Sequence, residues 1–544
     1  MELKLNEEWK NRIDRAKGWM NSYAKVYKEN IKIYNGKKKF VKPAKYEYYA
    51  NLIWQTYQTE KANIIPNSIE FYVEVEQDVM NYELNMLASE MLNNIFANNR
   101  TIKMIEKLHT QAVCKGVGIA MVAIRDKKKI IRKIDKEGKV VERESEIYLK
   151  IFKTEDVLYD KDIDIDDFED LKWIASCFYV PAIEFDRNEE YINKVKIYSA
   201  NGLNYDERGK LKVNKYIESG YTYGEGVVND EKYYPIKIWE IWDTIDRKKY
   251  YLEDKSGEWA LEPEDYPIEN PDFNHPFVFL SFTDVACDEL PPIAEIDMLK
   301  ALQDNYNAVR SAQKRDMNRM IRKMFALEDT IDKNEEDKML NLDRDQIIKV
   351  STSKYFQIGQ TPDIRNLIMP APENPMPPQA DGFLQSIKYD FMETTGYGPA
   401  ERGGLSPSYT ATESRNIFQM LSARNAKKTQ KIFDLMANIG KKAMYMIEEL
   451  FPEEVNIKIA KWGQPATWKK LKVNELRGKN KEIKVYTGSK GHIDKQTMLT
   501  ELLQISNMLF PLAQNYGLDL SMLIRKILML VQWSPDEIET IFKG

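Results

Sequence analysis

Five aspartates within eight residues give this sequence its strongest hint of metal chemistry. The group consists of Asp160, Asp162, Asp164, Asp166 and Asp167. Closely spaced carboxylates can hold two Mg²⁺ ions for phosphodiester cleavage. A calcium loop of the EF-hand type requires Gly at its sixth position and Glu at its twelfth, where this chain has Ile165 and Leu171. The pattern favours a solvated acidic turn, ahead of a weak structural cation site and, third, a nuclease centre.

Histidine and nucleotide chemistry have little support in the sequence. His109, His275 and His492 are scattered, and no neighbouring residue supplies a partner for acid–base or nucleophilic catalysis. Each is therefore interpreted as an ordinary surface or packing residue. No Walker A loop occurs, and Gly116-Val117-Gly118 lacks the third glycine of a dinucleotide-binding fingerprint. We accordingly predict no catalytic residue, no metal and no cofactor, and a protein that is not an enzyme.

Composition restricts the protein class further. With 544 residues, more than one domain is expected. The chain is 43% hydrophobic and 30% charged, the balance of a folded protein. Its net charge is −5, whereas proteins that grip DNA over a broad surface are usually basic, because affinity comes from neutralising phosphates. Any contact with nucleic acid should therefore be local or deliberately weak.

Cysteine spacing and apolar segments bear on the compartment. Cys114, Cys177 and Cys287 lie too far apart for a metal motif or a disulfide framework, which fits a reducing compartment. Residues 1–9 are charged and show no apolar region of a secretory signal. The most apolar segment, Leu518–Trp533, is interrupted by charges and too short to span a bilayer. We therefore expect neither secretion nor membrane insertion.

Periodicity predicts the helices and strands that would position any site. Apolar residues at helical spacing indicate helices around Trp9–Met20 and Leu84–Phe96, and strict alternation indicates a strand at Ile69–Val75. A β-rich, aromatic region runs from about residue 173 to 283. Beyond it, Ile293–Met324 is predicted as one long helix with an apolar seam on one side.

The opposite side of that helix becomes basic toward its end. A solvated face, or pairing with acidic residues of a neighbouring copy, is the favoured interpretation for most of these residues, with one or two facing a channel. The candidates for channel or intersubunit contact are Lys314, Arg315, Arg319 and Arg322. Residues 325–378 then combine short strands with a proline run, which is a stiff connector. A further helix is predicted at Gln379–Thr395.

The region Gly396–Gly440 combines a turn-forming loop with a well-marked helix start. Thr410 can cap that helix, and Glu413 can reach back to its amide in a capping box. The loop itself is too rich in Gly and Pro for regular structure. A loop carried by a capped helix, without a catalytic group, is a part that projects and moves. Its candidate functional residues are Gly396, Gly398, Pro399, Glu401, Arg402, Gly403, Gly404 and Ser406.

The order of these parts resembles the portal protein family of tailed double-stranded DNA bacteriophages. Thr410-Ala411-Thr412-Glu413 at the helix start and Ile33-Tyr34-Asn35-Gly36 at a predicted helix end resemble motifs of that family. Asn51–Pro66, followed by an alternating strand, is similar to it as well. So is Phe152–Phe168, where a predicted strand runs into the acidic turn. Together these stretches cover most of the chain.

The resemblance implies an α+β, mainly helical portal fold with long stem and wing helices and small β-rich insertions, assembled as a ring. The implied regions are a wing at 1–290 and 409–480, stem helices at 291–324 and 379–395, a clip at 325–378, a tunnel loop at 396–408 and a crown at 481–544. The crown would be short, and the sequence shows no extended C-terminal barrel, which departs from the family.

The resemblance also implies partners and a location. About twelve copies would form a ring at one capsid vertex of the virion, after assembly in the host bacterial cytoplasm. Double-stranded DNA would pass through the ring. The ring would bind the large terminase subunit, the head–tail adaptor, and the major capsid and scaffold proteins, and no membrane.

Two other functions are compatible with the residues. One is a metal-dependent nuclease that uses Asp160–Asp167. The other is a phage structural or adaptor protein without a channel, in which the 396–408 loop would face no lumen.

Overall fold

The computed structural model contains both helices and antiparallel sheets, which is an α+β architecture. It describes residues 2–36, 48–66, 68–75, 82–98, 100–125, 146–160, 168–203, 234–283, 291–319, 379–397, 411–459 and 467–487. Shorter described pieces lie at 133–134, 140–141, 205–206, 209–210, 221–223, 226–228, 324–326, 368–370, 504 and 506.

The chain divides into two compact units. The first comprises residues 1–31, 58–297 and 409–544, and the second comprises residues 32–57 and 298–408. Residues 32–57 therefore belong to the same unit as residues 298–408.

The helices have the bounds α1 Glu2–Tyr34, α2 Leu52–Ile64, α3 Tyr82–Asn98, α4 Thr101–Lys115, α5 Ala182–Arg187, α6 Lys194–Asn201, α7 Glu295–Arg319, α8 Gln379–Thr395 and α9 Ala411–Leu450. The predicted helices around Trp9–Met20, Leu84–Phe96 and at Gln379–Thr395 are confirmed, whereas α5 and α6 lie in the region that was predicted to be β-rich. None of the helices in the described ranges has the length and apolarity to cross a bilayer.

The strands pair antiparallel throughout the described residues. The first nine are β1 Ile69–Val75, β2 Gly118–Arg125, β3 Lys133–Ile134, β4 Val140–Val141, β5 Glu146–Ile151, β6 Val157–Tyr159, β7 Trp173–Pro181, β8 Tyr221–Tyr223 and β9 Gly226–Val228. The others are β10 Pro235–Asp243, β11 Lys248–Glu253, β12 Trp259–Asp265, β13 Phe277–Leu280, β14 Met324–Ala326, β15 Ile368–Pro370, β16 Glu454–Ile459, β17 Thr467–Lys472 and β18 Lys481–Thr487.

Two larger sheets organise the first unit. A five-stranded sheet has the order β12-β11-β10-β7-β6, and a three-stranded sheet has the order β13-β2-β5. The apolar face of α1 packs on the five-stranded sheet, where Trp9 meets Trp173 edge-on at 5.8 Å between ring centroids. The three-stranded sheet packs with α3, α4 and α9 in the largest core. Each large apolar side chain fully buried there contributes roughly 1.5–3 kcal/mol.

A two-stranded ribbon of β1 and β18 packs against α3 and α9 in that core. α9 approaches it closely at Gly440, where a Cβ would lie 3.1 Å from both Ile483 Cγ2 and Phe71 Cδ1. The glycine therefore lets the helix backbone approach the ribbon at this point.

Polar side chains of α3 hydrogen-bond the outer edge of β1. Four helical residues advance about 6 Å, close to the ~6.8 Å of two strand residues, so one side chain per turn meets every second amide. The N–H groups of Phe71, Val73 and Val75 donate respectively to Asn93 Oδ1 at 2.7 Å, Ser89 Oγ at 2.8 Å and Asn85 Oδ1 at 3.3 Å. Helix α3 thus satisfies an edge that has no further strand within the described residues.

In the second unit, polar side chains of a helix also hydrogen-bond the backbone of an extended segment. Side chains at four-residue spacing on α7 bond the backbone of residues 48–52. Gln303 accepts from the Leu52 amide at 2.9 Å, Asn307 accepts from the Ala50 amide at 3.0 Å, and Ser311 accepts from the Tyr48 amide at 3.1 Å. The buried face of α7 is therefore part apolar and part polar, whereas the sequence predicted an apolar seam alone.

Helices α7 and α8 pack on each other in the second unit. Tyr306 of α7 clusters with Leu384 and Ile387 of α8, and Gln313 Nε2 donates to Asp381 Oδ1 at 2.6 Å. The later residue of α7 meets the earlier residue of α8, so the two helices run antiparallel. β14 and β15 lie between α7 and α8 in the sequence and pair with each other. Residues 327–367, which connect these two strands, lie outside the description.

The predicted helix at Ile293–Met324 is confirmed over most of its length. The structure corrects its end, because Met324 pairs with Pro370 in the β14–β15 ladder and lies in a strand. Ile296, Leu299 and Tyr306 of the seam are buried. Met320 lies outside the described residues.

Candidate functional site

The predicted loop leaves α8 from a well-defined helix end. Gly396 has a φ of 75°, the left-handed conformation that favours glycine at a helix C-terminus. Its amide donates to Met392 O at 2.6 Å, and the next amide, of Tyr397, donates to Thr395 Oγ1 at 3.3 Å. Tyr397 is buried and fixes the chain where the loop begins.

Most of the candidate loop residues lie outside the described part of the chain. These are Gly398, Pro399, Glu401, Arg402, Gly403, Gly404 and Ser406, together with the predicted cap Thr410. Glu413 lies in the first turn of α9, but its side chain is also outside the description. The described residues thus give the two helices that the segment connects, and the capping box stays a prediction.

The basic candidates on α7 fall into two groups. Lys314 and Arg315 are exposed, whereas the side chain of Arg319 and the whole of Arg322 lie outside the described residues. Arg310, one helical turn before Lys314, donates to Gln313 Oε1 at 2.9 Å and lies 4.7 Å from the Tyr48 ring centroid. It therefore stabilises the second unit.

The acidic turn is described only at its ends. Asp160 follows β6, and residues 161–167 lie outside the description. Within the described ranges, no group of three or more His, Cys, Asp or Glu side chains is arranged to hold a metal ion. Chemistry at Asp162, Asp164, Asp166 and Asp167 stays a hypothesis from the sequence.

A buried ionic cluster holds together α2, α4, α7 and α9 inside the first unit. Glu60 is 2% exposed, and its Oε1 lies 2.9 Å from Nε2 of His109, which is fully buried. Lys428 of α9 donates to Glu60 Oε2 at 2.8 Å, and its Nζ lies 2.8 Å from Glu295 Oε1 at the start of α7. One lysine therefore bridges two carboxylates on different helices. We call these four residues the Lys428 cluster.

The pKa shifts in the Lys428 cluster follow from burial and charge. Burial alone would raise the pKa of Glu60, but His109 and Lys428 together hold it below its ordinary value. Burial lowers the pKa of Lys428, and the two carboxylates more than reverse this. Burial and the charge of Glu60 raise the pKa of Glu295. Burial lowers the pKa of His109, so its imidazole is neutral near pH 7 and Nε2 donates to Glu60.

A second buried cation lies at His275. Lys442 of α9 donates to His275 O at 2.7 Å and to Glu169 Oε2 at 2.7 Å. His275 Nε2 donates to Phe168 O at 3.0 Å, and burial together with Lys442 holds the pKa of this histidine well below its ordinary value. Both described histidines are therefore buried packing residues whose partners fix their orientation.

The partners in these clusters could not be found by reading neighbouring residues. Glu60 and His109 are 49 positions apart, and Glu60 and Lys428 are 368 positions apart. The available signal was a charged residue on the apolar side of a predicted helix, as Lys428 and Lys442 are on α9. Glu60, His109 and His275 are almost fully buried, and each is held by a partner from another element, so both clusters tie separate elements together.

No protein-family model matches this chain, and no curated protein shows significant similarity to it.

Proposed function

We propose that this chain is the portal protein of a tailed double-stranded DNA bacteriophage. It forms a ring-shaped channel at one capsid vertex, through which DNA is packaged and ejected, and it docks the terminase motor and the head–tail adaptor. The function is structural, and the work of DNA movement is supplied by a separate ATPase.

The observation that carries the proposal is the order of elements in the second unit. Helix α7 leads into β14, and β15 leads back into α8, which packs antiparallel on α7. β14 and β15 pair with each other, and residues 327–367 connect them in the sequence. A Gly- and Pro-rich segment then leads into α9, which is 40 residues long. This order supports a stem of two helices that carries a clip, followed by a tunnel loop and a wing helix.

The charge balance is compatible with a channel for sliding DNA. Tight phosphate binding would stop movement, and the net charge of −5 argues against a broad grip. Modest basic positions such as Lys314 and Arg315 let a duplex pass, because exposed charges farther apart than a Debye length of about 8 Å are screened in cell-like salt. A head-to-tail ring also needs two different complementary surfaces on each subunit.

Electron microscopy and native mass measurement of the full chain test the ring. We expect closed rings with a central hole and a mass that is a whole multiple of the 63.8 kDa chain. A monomer at every concentration, or a closed globule without a lumen, would refute the proposal. The same preparation with Mg²⁺ and duplex DNA tests the nuclease alternative, for which Asp160→Asn is the matched inactive variant.

Deletion of residues 398–405 tests the loop. We expect the shortened chain to assemble into the same ring and to package or retain less DNA in an in vitro packaging assay. Lys196→Gln, an exposed change in the first unit, serves as the control. Normal packaging by the deletion variant would show that the loop is not needed for packaging. The ring is tested separately by the micrographs.

A further inference from the structure

The two-stranded ribbon of β16 and β17 has one buried face and one exposed face. Val455, Ile457, Ile459 and Leu471 pack inward, because alternate residues of a strand point to the same side. The outward residues are all exposed, and they are Glu454, Asn456, Lys458, Trp468, Lys470 and Lys472. We call this outward surface the Trp468 face.

Trp468 is the unusual member of this face. Its side chain is 66% exposed, and it lies directly opposite Lys458 in the strand register. Lysines on a short ribbon also discourage association at a sheet edge, but that need does not account for a tryptophan left in water. An aromatic side chain among cations is a combination used in nucleic-acid binding.

The charge around the Trp468 face contrasts with the rest of the chain. The face itself carries three lysines, Lys458, Lys470 and Lys472, and one glutamate, Glu454, whereas the whole chain has a net charge of −5. A local excess of positive charge on an acidic protein selects an anionic partner at this place.

The lysines of the face are held by weak surface pairs. Lys470 Nζ lies 3.0 Å from Glu454 Oε2, and Lys472 Nζ lies 3.5 Å from Glu475 Oε1, with both lysine side chains more than 60% exposed. Exposed pairs of this kind are worth little and are screened by salt. The ammonium groups can therefore exchange these carboxylates for phosphates at small cost.

The spacing along β17 fits a phosphate backbone. Lys470 and Lys472 are two residues apart on one face, which is about 6.8 Å along the strand. Two phosphate steps along one strand of B-form DNA advance the same distance along the helix axis, at about 3.4 Å a step. Trp468 adds an indole N–H that can donate to a phosphate oxygen.

We infer that the Trp468 face is a binding surface for the phosphate backbone of double-stranded DNA. This contact is additional to the predicted loop at 396–408. It requires no ring, because the whole surface belongs to one ribbon of one chain.

Fluorescence anisotropy of the full chain with a labelled 30-base-pair duplex tests the inference, at salt concentrations from 50 to 200 mM. Replacing Lys458, Lys470 and Lys472 by Gln removes three phosphate contacts. We expect the slope of log affinity against log salt to become shallower by about 2.7. The wild type should therefore lose roughly 40-fold more affinity than this variant over that range.

A second variant separates the aromatic contact from the charges. Trp468→Ala should weaken binding about fivefold at every salt concentration and leave the slope unchanged, because a hydrogen bond is lost and no charge is removed. The matched control replaces Lys25, Lys28 and Lys196 by Gln, which is the same charge change on exposed positions elsewhere. Circular dichroism and thermal melting of each variant confirm that it is folded.

Several outcomes would overturn the inference. The first two are an absence of salt-dependent duplex binding by the wild type and an unchanged salt slope in the Lys458, Lys470 and Lys472 variant. The other two are an equal change of slope in the control variant and tighter binding to a single strand of the same sequence than to the duplex. Native mass measurement of the same samples reports ring assembly separately. Rings without ribbon-dependent DNA binding refute this inference alone, and DNA binding without rings refutes the proposed function alone.

Discussion

Removal of the Lys428 side-chain charge should destabilise the first unit strongly and in a way that a second substitution reverses. The perturbation is Lys428→Met, which keeps a long side chain and removes the ammonium. It leaves Glu60 and Glu295 as two buried carboxylates with the neutral His109 as their only remaining partner in the cluster. The lost interaction is therefore both an attraction and the screening of a repulsion.

The size of the effect follows from the burial of the three charges. Breaking a buried ion pair by removing one partner costs about 3–5 kcal/mol. The Lys428 side chain is 22% exposed and that of Glu295 is 17% exposed, so water partly relieves the two carboxylates. We therefore expect the lower end, about 3 kcal/mol, which corresponds to about 150-fold in an opening equilibrium.

Amide hydrogen exchange read by mass spectrometry is the suitable assay. A chain with two compact units is not expected to unfold in one two-state step, whereas exchange reports the opening of each segment separately. In Lys428→Met, amides of α2 and α4 next to the cluster should exchange about 150-fold faster. The double variant Lys428→Met, Glu60→Gln should recover most of the protection, because it removes the unpaired charge.

Two results would refute this reasoning. One is wild-type exchange in the single variant, and the other is a double variant no better protected than the single one. The effect should also depend on pH. The pKa of Glu60 is lowered in the folded state, so its stabilisation is present above its ordinary value of 4.5 and is lost as the pH falls through the folded pKa. The difference between the wild type and Lys428→Met should therefore shrink in acid.

Three further substitutions test the packing of the two units. Asn93→Leu leaves the Phe71 amide and carbonyl without their side-chain partner, so we expect about 2 kcal/mol of local destabilisation and faster amide exchange in β1. Unchanged exchange in β1 would contradict the role of α3 in satisfying this strand edge. Gly440→Val pushes side-chain atoms into Ile483, so we expect about 1–3 kcal/mol of destabilisation and a lower midpoint of thermal unfolding. A raised midpoint would show that α9 and the β1–β18 ribbon leave room for a larger side chain. Gln303→Leu should expose the amides of residues 52 and 53 to exchange while leaving β1 protected, and a loss confined to β1 would disprove the assignment.

Local periodicity was sufficient to predict several of the longer described elements. Trp9 and Met20 fall on one face of α1, and the alternation of Ile69–Val75 gives β1, because side-chain direction repeats with the period of each structure. The motif at Ile33-Tyr34-Asn35-Gly36 was predicted as a helix end, and α1 ends at Tyr34. The one corrected boundary, Met324, depends on its strand partner Pro370, which lies 46 residues further on.

Much less of the candidate site was predictable. Gly396 follows the last residue of α8, where the sequence placed the start of the loop. The Lys428 cluster, and the hydrogen bonds from polar side chains of α3 and α7 to extended backbone, were not predicted. A binary pattern of apolar and polar residues treats Asn93, Gln303 and Lys428 as surface residues. Each is tolerated inside because a distant backbone or carboxylate group satisfies it, and that partner is invisible in a local window.

The sequence by itself determined the periodicity of the main helices and strands, their order along the chain and the acidic net charge. Those properties depend on neighbouring residues and on composition alone. The tertiary structure decided which polar groups are buried together and which lysines remain at the surface beside Trp468. It also decided where a helix needs a glycine because a neighbouring strand lies too close for a larger side chain. Only the folded chain could decide these points, because the free energy of a buried charge or amide is set by the partner that replaces water.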